Sequence, residues 1–522
     1  MNIPPFATRR SVAPRLQTTR GSPPTLTTTT LWWACLLAIS AVLLTPLAVV
    51  DVPPLLDYPN HLARAFILSQ GAADPHLARM FAPRWGVIPN LGTDILLVPL
   101  MQVLPVHVAG RVIVAIALLL PLFGAAAYSK AVFGVRSAWS LGAALVVYNQ
   151  PLLLGFLNFT IATGGALLLA AHWIRWRDVR PAYAVLTAAL GTVALFFCHL
   201  MGVVFFAMLA AAYEAEHRGW HARRLLASLT ALAPAACLYA LSPLNNADVS
   251  IGWQPWADKL GQLLVPFVNY NLPLDIFTAC AISSFLAICS LTGRCHVPLR
   301  SGLAIALFAL AFAVSPFAVK GTFGFDTRFI MMLGFLLFAG FLPRLPRPAL
   351  RLALSLFIAL FLVRMTVLTA AWAQYGQPLA ELRSVMARVE PGGRVIIAYI
   401  TPRDAPAYWE RVRDARRLSN GLQTDSHMPA LLVIERHAYW PFQFDEPTQQ
   451  PLETLQPYRA LAERVGGMPD SSALGTLDLS GFDYLLLLDA GGEPSLATFE
   501  RFRLTLLRQE NAAALFRIRP AR

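Results

Sequence analysis

Charge is what this sequence has least of. Asp, Glu, Lys and Arg make up 14% of its 522 residues, against about 25% in soluble domains. A string of soluble domains of that length is therefore excluded. Lysine is nearly absent: Lys130, Lys259 and Lys320 stand alone, and the net charge of +13 rests on arginine. The arginines fall in short groups between apolar runs and form no concentrated basic stripe, which excludes nucleic-acid binding as the leading function. Cysteine is also scarce, with no CxxC pair and none after Cys295. Cys35, Cys237, Cys280 and Cys289 lie inside apolar runs, where the side chain acts as a small hydrophobe. No structural zinc site is supported, and the chain after 295 can occupy an oxidising compartment without a disulfide. Internal repeats are absent as well.

What the sequence has is apolar length. Hydrophobic residues reach 56% and the mean hydropathy is +0.55. Residues 1–30 carry Arg9, Arg10, Arg15 and Arg20 among Thr and Pro, with no acid, and read as a disordered basic arm. The apolar run 31–50 is long enough to cross a hydrocarbon core of about 30 Å and lacks a small-residue cleavage site, so it reads as an uncleaved first span. Further spans are expected near 107–129, 138–149, 155–174, 182–197, 199–216, 225–243, 274–292, 300–318, 328–343 and 352–372. The segment 91–105, with Asp94 and Pro99, reads as re-entrant or interfacial. About eleven spans result.

Arginine orients them. The groups at 9–20, Lys130/Arg136, Arg175/Arg177/Arg180, Arg218/Arg223/Arg224, Arg294/Arg300 and Arg344/Arg347/Arg351 all fall on the N-terminal side of the spans, which the positive-inside rule makes cytoplasmic. Eleven crossings put the first loop, 51–106, and residues 373–522 outside. That tail mixes charge, proline and short apolar runs. It reads as a small α/β domain with strands at Arg394–Ile400, Ala430–Ile434, Tyr484–Leu488 and Ala513–Ile518, and helical patterns at 377–389 and 495–508.

The polar residues sort by side. The outer face receives Asp51, Asp57, Asn60, His61 and Arg64 from the first loop, with Asn158, His199, Lys320, Asp326 and Arg328 from later turns. Such groups at span ends are costly unless paired or lining a wet cavity. In PPLLDYPNHLARAF, Asp57 precedes a helix begun by Pro59, and Asp57, His61 and Arg64 can share one helical face. That suits a carboxylate base with neighbours that orient it or bind phosphate; the plain alternative is an N-cap. Arg328 offers a fork for a phosphate, or anchors the interface paired to Asp326. His199 lines the cavity or caps a tight turn, and Asn158 satisfies backbone at a chain break. Trp253 and Trp256 fit an aromatic belt. In HMPALLVIERHAYWPF, Glu435, Arg436 and His437 close an expected strand, as Asp489 does in FDYLLLLDAGG; loop chemistry is the simpler account of both.

This layout resembles the GT-C superfamily of integral membrane glycosyltransferases: many spans, a cytoplasmic N-terminus, and a first external loop carrying an essential acid, here Asp57 in LLDYPNHLAR. The resemblance implies a polyprenyl-phosphate-linked sugar donor, a lipid, glycan or protein acceptor, and Asp57 as the catalytic carboxylate; the Arg-rich, Lys-poor usage fits a GC-rich bacterial genome and so points to the bacterial inner membrane. The polar groups gathered on the outer face, His61, Arg64, Asn60, His199, Lys320, Asp326 and Arg328, are then the candidate substrate contacts. Many members carry two adjacent acids in this loop, whereas Asp57 is followed by Tyr58 and Asp51 lies six residues earlier; the cofactor therefore stays open, with a divalent cation as the candidate. A transporter or lipid flippase would place charges near the midplane in paired broken helices, and a scaffold binding a partner through its outer domain would reduce the first-loop residues to capping. The orientation predicts that alkaline phosphatase fused to the C-terminus is active in intact bacteria while a cytoplasmically folding fluorescent reporter there stays dark. A bright reporter and silent phosphatase would reverse the topology.

Overall fold

The computed structural model describes residues 26–216, 222–399, 415–468, 478–488, 502–511 and 513–520. Most of the basic arm lies outside the described residues, but its last five, Leu26–Thr30, open the first helix, Leu26–Ala48. Among the described residues, seven helices are long and apolar enough to cross a membrane: Leu26–Ala48, Val106–Phe133, Leu157–Trp176, Pro181–Cys198, Ala222–Leu241, Leu272–Leu291 and Arg347–Met386. Leu299–Val314 and Thr327–Ala339 are shorter apolar helices, and Leu200–Glu216 fills another expected position.

The expected span 138–149 takes a different form. It contains a 3-10 helix, Trp139–Val146, whose eight residues rise only about 16 Å. Irregular backbone at membrane depth is tolerated where protein covers it, and every residue of this segment except Gly142 is buried. Trp139 stacks on Phe285 at 4.9 Å and meets Phe338 and Phe357 at 5.1 and 5.3 Å. The centre of the bundle is the crossing of Val106–Phe133 with Leu157–Trp176. A Cβ on Gly164 would come within 2.5 Å of the Leu120 carbonyl carbon and the Pro121 nitrogen. The bare glycine lets the two backbones touch, which is how helices associate where no hydrophobic effect separates them from lipid.

The turns gather at two ends. At one, Arg224 and Arg177 hold Glu214, Arg224 reaches Asp178, and Arg300 pairs with Glu216. Arg136 lies over Trp32 and Trp33 there, and Arg344 N–H bonds to the Arg294 carbonyl. The opposite end gathers the first loop, the turns at 149–158 and 199, the segments 242–271 and 315–327, and the C-terminal domain. The arginine groups thus converge, among the described residues, at the end away from that domain.

The boundary expected at 373 falls inside one unbroken helix, Arg347–Met386. Forty residues give about 60 Å, twice a hydrocarbon core, so the helix runs on as the stem of the domain. The sheet orders Phe502–Gln509, Ala513–Pro520, Tyr484–Leu488 and Val395–Tyr399. Val395–Tyr399 runs parallel to Tyr484–Leu488, and the other pairings are antiparallel. Two expectations fail. Ala430–Ile434 is helical, a 3-10 turn Met428–Ala430 leading into Leu431–Arg436; a short apolar run buried all round has no period to tell strand from helix. The expected helix 495–508 is a strand from Phe502 onward, because the hairpin partner Ala513–Pro520 completes its ladder; residues 495–501 and Asp489 lie outside the described residues.

The C-terminal domain meets the bundle at a buried ion pair that belongs to the bundle. Arg364 donates to Asp275 Oδ1 at 2.8 Å, to Thr278 Oγ1 at 3.2 Å and to the Phe267 carbonyl at 2.7 Å. Asp275 Oδ2 accepts from Asn269 N–H and from the Ser419 hydroxyl of the C-terminal domain. Removing one partner of such a pair leaves an uncompensated buried charge and costs about 3–5 kcal/mol. Arg364→Ala should therefore lower the thermal unfolding midpoint of the detergent-purified protein sharply, and Arg364→Lys, which lacks the fork, should restore only part of it. An unchanged midpoint in Arg364→Ala would show the pair to be dispensable.

Candidate functional site

The site is built from the first loop upward. Helix Tyr58–Gln70 is buried from Tyr58 to Ile67, and one charged pair sets its rotation. Arg64 donates through Nε to Asp94 Oδ1 at 2.9 Å and through Nη2 to Asp94 Oδ2 at 2.8 Å, both residues fully buried. Asp94 sits in the first turn of the helix Gly92–Leu100, so the two-pronged bond locks two first-loop helices together. Arg64 Nη2 also lies 3.0 Å from His61 Nδ1. A guanidinium can only donate, so Nδ1 accepts and the neutral ring carries its proton on Nε2. Burial first, then the charges of Arg64 and His427, hold His61 well below its ordinary pKa. His61 is thus a neutral donor on the wall of a cavity.

Asp57 occupies the N-cap position of this helix, yet its backbone is helical (φ −86°, ψ −9°) and its side chain makes no capping bond. The capping account of Asp57 therefore does not hold. Its backbone N–H is tied to the Leu154 carbonyl at 3.1 Å, and Gly155, at φ +81°, passes so close that a Cβ would lie 2.7 Å from Asp57 N. Glycine is required there both for the left-handed backbone and for the space. The carboxylate instead faces a cavity of about 590 Å³, where Oδ1 lies 3.0 Å from His427 Nδ1. The His427 ring is held edge-on between Trp440 and Phe444.

The far wall is cationic. Arg328 is buried, donates through Nη1 to the Phe323 carbonyl at 3.2 Å, and lies over the rings of Phe156 and Phe159 at 5.9 and 5.8 Å. Its Nε–H is buried and has no partner among the described residues. Asp326 does not neutralise it as an ion pair: that carboxylate caps Thr327, accepts from Gln254 and lies 3.3 Å from Lys259 Nζ. Lys320, with φ +47°, donates to the carbonyls of Leu244 and Asn245 and keeps a third N–H. His199 accepts the Met201 N–H on Nδ1, so its neutral ring also carries the proton on Nε2; it both caps its turn and lines the cavity.

Six of the residues singled out in the sequence, Asp57, His61, Asn158, His199, Lys320 and Arg328, therefore line one cavity. Three stand behind its walls. Arg64 is engaged by Asp94, and Asp326 holds Lys259 and its own helix start. Asn60 clasps the C-terminal segment: Nδ2 donates to the Phe442 carbonyl, while Oδ1 accepts from Gln443 Nε2 and Phe444 N–H. Asn158 donates to Asn90 and accepts from Thr93 N–H, pinning the first loop to the bundle. Glu435, Arg436 and His437 make structural links, to Arg383, the Val389 carbonyl and Asp74.

Sequence reasoning missed His427, Phe444, Gln449 and Gln450, which line the cavity or meet Asp57. The only signal was the histidine that opens HMPALLVIERHAYWPF. A divalent cation finds no ready seat: among the described residues no three His, Cys, Asp or Glu side chains gather to ligate one, and Asp57 meets only His427.

No protein-family model matches the chain, and no curated protein matches its sequence. Solved structures do match. ArnT from Cupriavidus metallidurans in the apo state superposes with a TM-score of 0.53 over 94% of this chain and 98% of that one, at 13% identity. ArnT from the same organism bound to undecaprenyl phosphate gives 0.56 over 95% and 98%, also at 13% identity. A likeness at that identity speaks for fold. A helical polytopic membrane protein with a mixed sheet after its last long helix, this chain shares the fold of ArnT.

Proposed function

We propose that the protein is a membrane glycosyltransferase that moves a sugar from a polyprenyl-phosphate donor to an acceptor, working on the outer side of the bacterial inner membrane. The observation that carries this reading is the cavity itself: an uncapped Asp57 carboxylate on one wall and, on the other, Arg328 with a buried N–H that has no partner. A carboxylate and a cation held across one space suit a displacement at carbon with an anionic leaving group. The ArnT structure bound to undecaprenyl phosphate supports a lipid phosphate as that group.

In this reading Asp57 takes the proton of the acceptor hydroxyl as its oxygen forms a bond to the anomeric carbon. The bond from that carbon to the phosphate oxygen breaks, and the electron pair leaves with the lipid phosphate. Arg328 and the free N–H of Lys320 stabilise the charge that develops there, with neutral Nε2–H donors from His199 and His61. Attack from the face opposite the phosphate inverts the anomeric centre. Arg64 acts through His61, and Asn60 and Asp326 act by placing their neighbours.

Asp57→Asn keeps the shape and removes the base. Transfer from a polyprenyl-phosphate sugar should fall by about 10²–10⁴-fold, while binding of sugar-free polyprenyl phosphate stays within about twofold of the parent. Turnover near the parent rate in Asp57→Asn would remove this carboxylate from the chemistry.

A further inference from the structure

The C-terminal domain contributes a wall to the cavity, and the residues it places there, Phe444, Gln449 and Gln450, are uncharged. Residues 442–454 are pinned to the first loop at both ends. Asn60 holds Phe442, Gln443 and Phe444 at one end. At the other, Arg84 N–H bonds to the Pro451 carbonyl at 2.8 Å, and Leu452–Thr454 pairs antiparallel with Phe81–Pro83. Between the pins the chain turns over the cavity, with the backbone N–H groups of Gln449 and Gln450 both returned to the Glu446 carbonyl. This sets both glutamines on the cavity wall.

Gln450 is the unusual one. It is 8% exposed, and its Oε1 is buried without a hydrogen-bond partner among the described residues. A buried amide oxygen left unsatisfied costs about 1–3 kcal/mol, and a bound group that donates to it recovers that cost. The neighbours narrow the choice. Asp57 would repel an anionic ligand group at this end, and Arg328 and Lys320 would repel a cationic one from the other. An amide offers both a donor and an acceptor, which matches adjacent hydroxyls on a ring and compensates a charge of neither sign.

We propose that Gln450, with Gln449 beside it, forms a hydroxyl-binding subsite that selects an uncharged pyranose on the donor lipid. The inference rests on the transferase reading for the identity of the lipid, and names the sugar class that reading leaves open. The phosphate lies toward Arg328 and Lys320, and the sugar ring lies between Asp57 and Gln450. A site built to hydrogen-bond hydroxyls discriminates strongly against a ligand that leaves its buried polar groups unpaired.

The test is a binding comparison on the full-length protein in detergent. It uses sugar-free polyprenyl phosphate, the same lipid phosphate carrying glucose, mannose or galactose, and one carrying a 4-amino sugar. The parent should bind at least one hexose lipid about tenfold more tightly than the sugar-free lipid. Gln450→Leu should erase that increment and leave sugar-free affinity unchanged, which also shows the variant to be folded. Gln450→Glu, with a new negative charge at the same reach, should shift preference toward the amino sugar, a gain that misfolding does not produce. Equal binding of hexose and sugar-free lipid by the parent, an increment that survives Gln450→Leu, or an unmoved preference in Gln450→Glu would each overturn the proposal. Asp57→Asn separates the two readings: it should lower turnover by about 10²–10⁴-fold and keep the hexose increment. If it turned over normally, the catalytic role of Asp57 would fall while the increment still decided the subsite.

Discussion

Everything at the cavity depends on the buried bond between Arg64 and Asp94. Two charges removed from water are stable together only with good geometry, and here the guanidinium fork meets both carboxylate oxygens at 2.8 and 2.9 Å. The bond fixes how the helix Tyr58–Gln70 is rotated. From that rotation follow the ring of His61, held by the same guanidinium, and the carboxylate of Asp57 at the helix start. An arginine that looks like a substrate ligand in the linear sequence is the piece that aims the others.

A second constraint is the division of cations between two acids. Asp326 and Asp275 are both buried, and each has a cation of its own, Lys259 and Arg364 respectively. Arg328 is thereby left beside the cavity with its charge directed at aromatic rings and one N–H unanswered. An unpaired buried guanidinium is unfavourable in a resting protein and useful where an anion is to be held. The same separation of roles leaves Asp57 beside His427, with no arginine paired to it among the described residues.

The C-terminal domain belongs to the site as much as to the outside. Its stem continues a bundle helix without a break, and Ser419 reaches the buried Asp275. His427 meets Asp57, while Asn60 of the first loop holds the segment at 442–444. A domain fixed in this way closes the cavity from above and supplies a wall of different chemistry from the one below it. The uncharged glutamines and the cations face each other because two separate pieces of chain were brought to one opening.

The sequence by itself determined the membrane bundle, the positions of its helices and the sorting of its turns. Apolar length and arginine spacing are local properties, each legible within about twenty residues, and the structure places the turns at two ends as they require. It also singled out Asp57, His61, His199, Lys320 and Arg328, because polar groups at the ends of apolar runs are conspicuous. Tertiary structure alone decided what each of them does. Asp57 and His427 lie 370 positions apart, and no local pattern links them. Whether Arg64 faces a substrate or Asp94, and whether Arg328 is neutralised by Asp326 or left open, turns on which charge reaches which partner first in space. The helix at Leu431–Arg436 departs from its expected strand for the same reason. A short apolar run takes its form from the neighbour that completes its hydrogen bonds, and that neighbour is supplied by the fold.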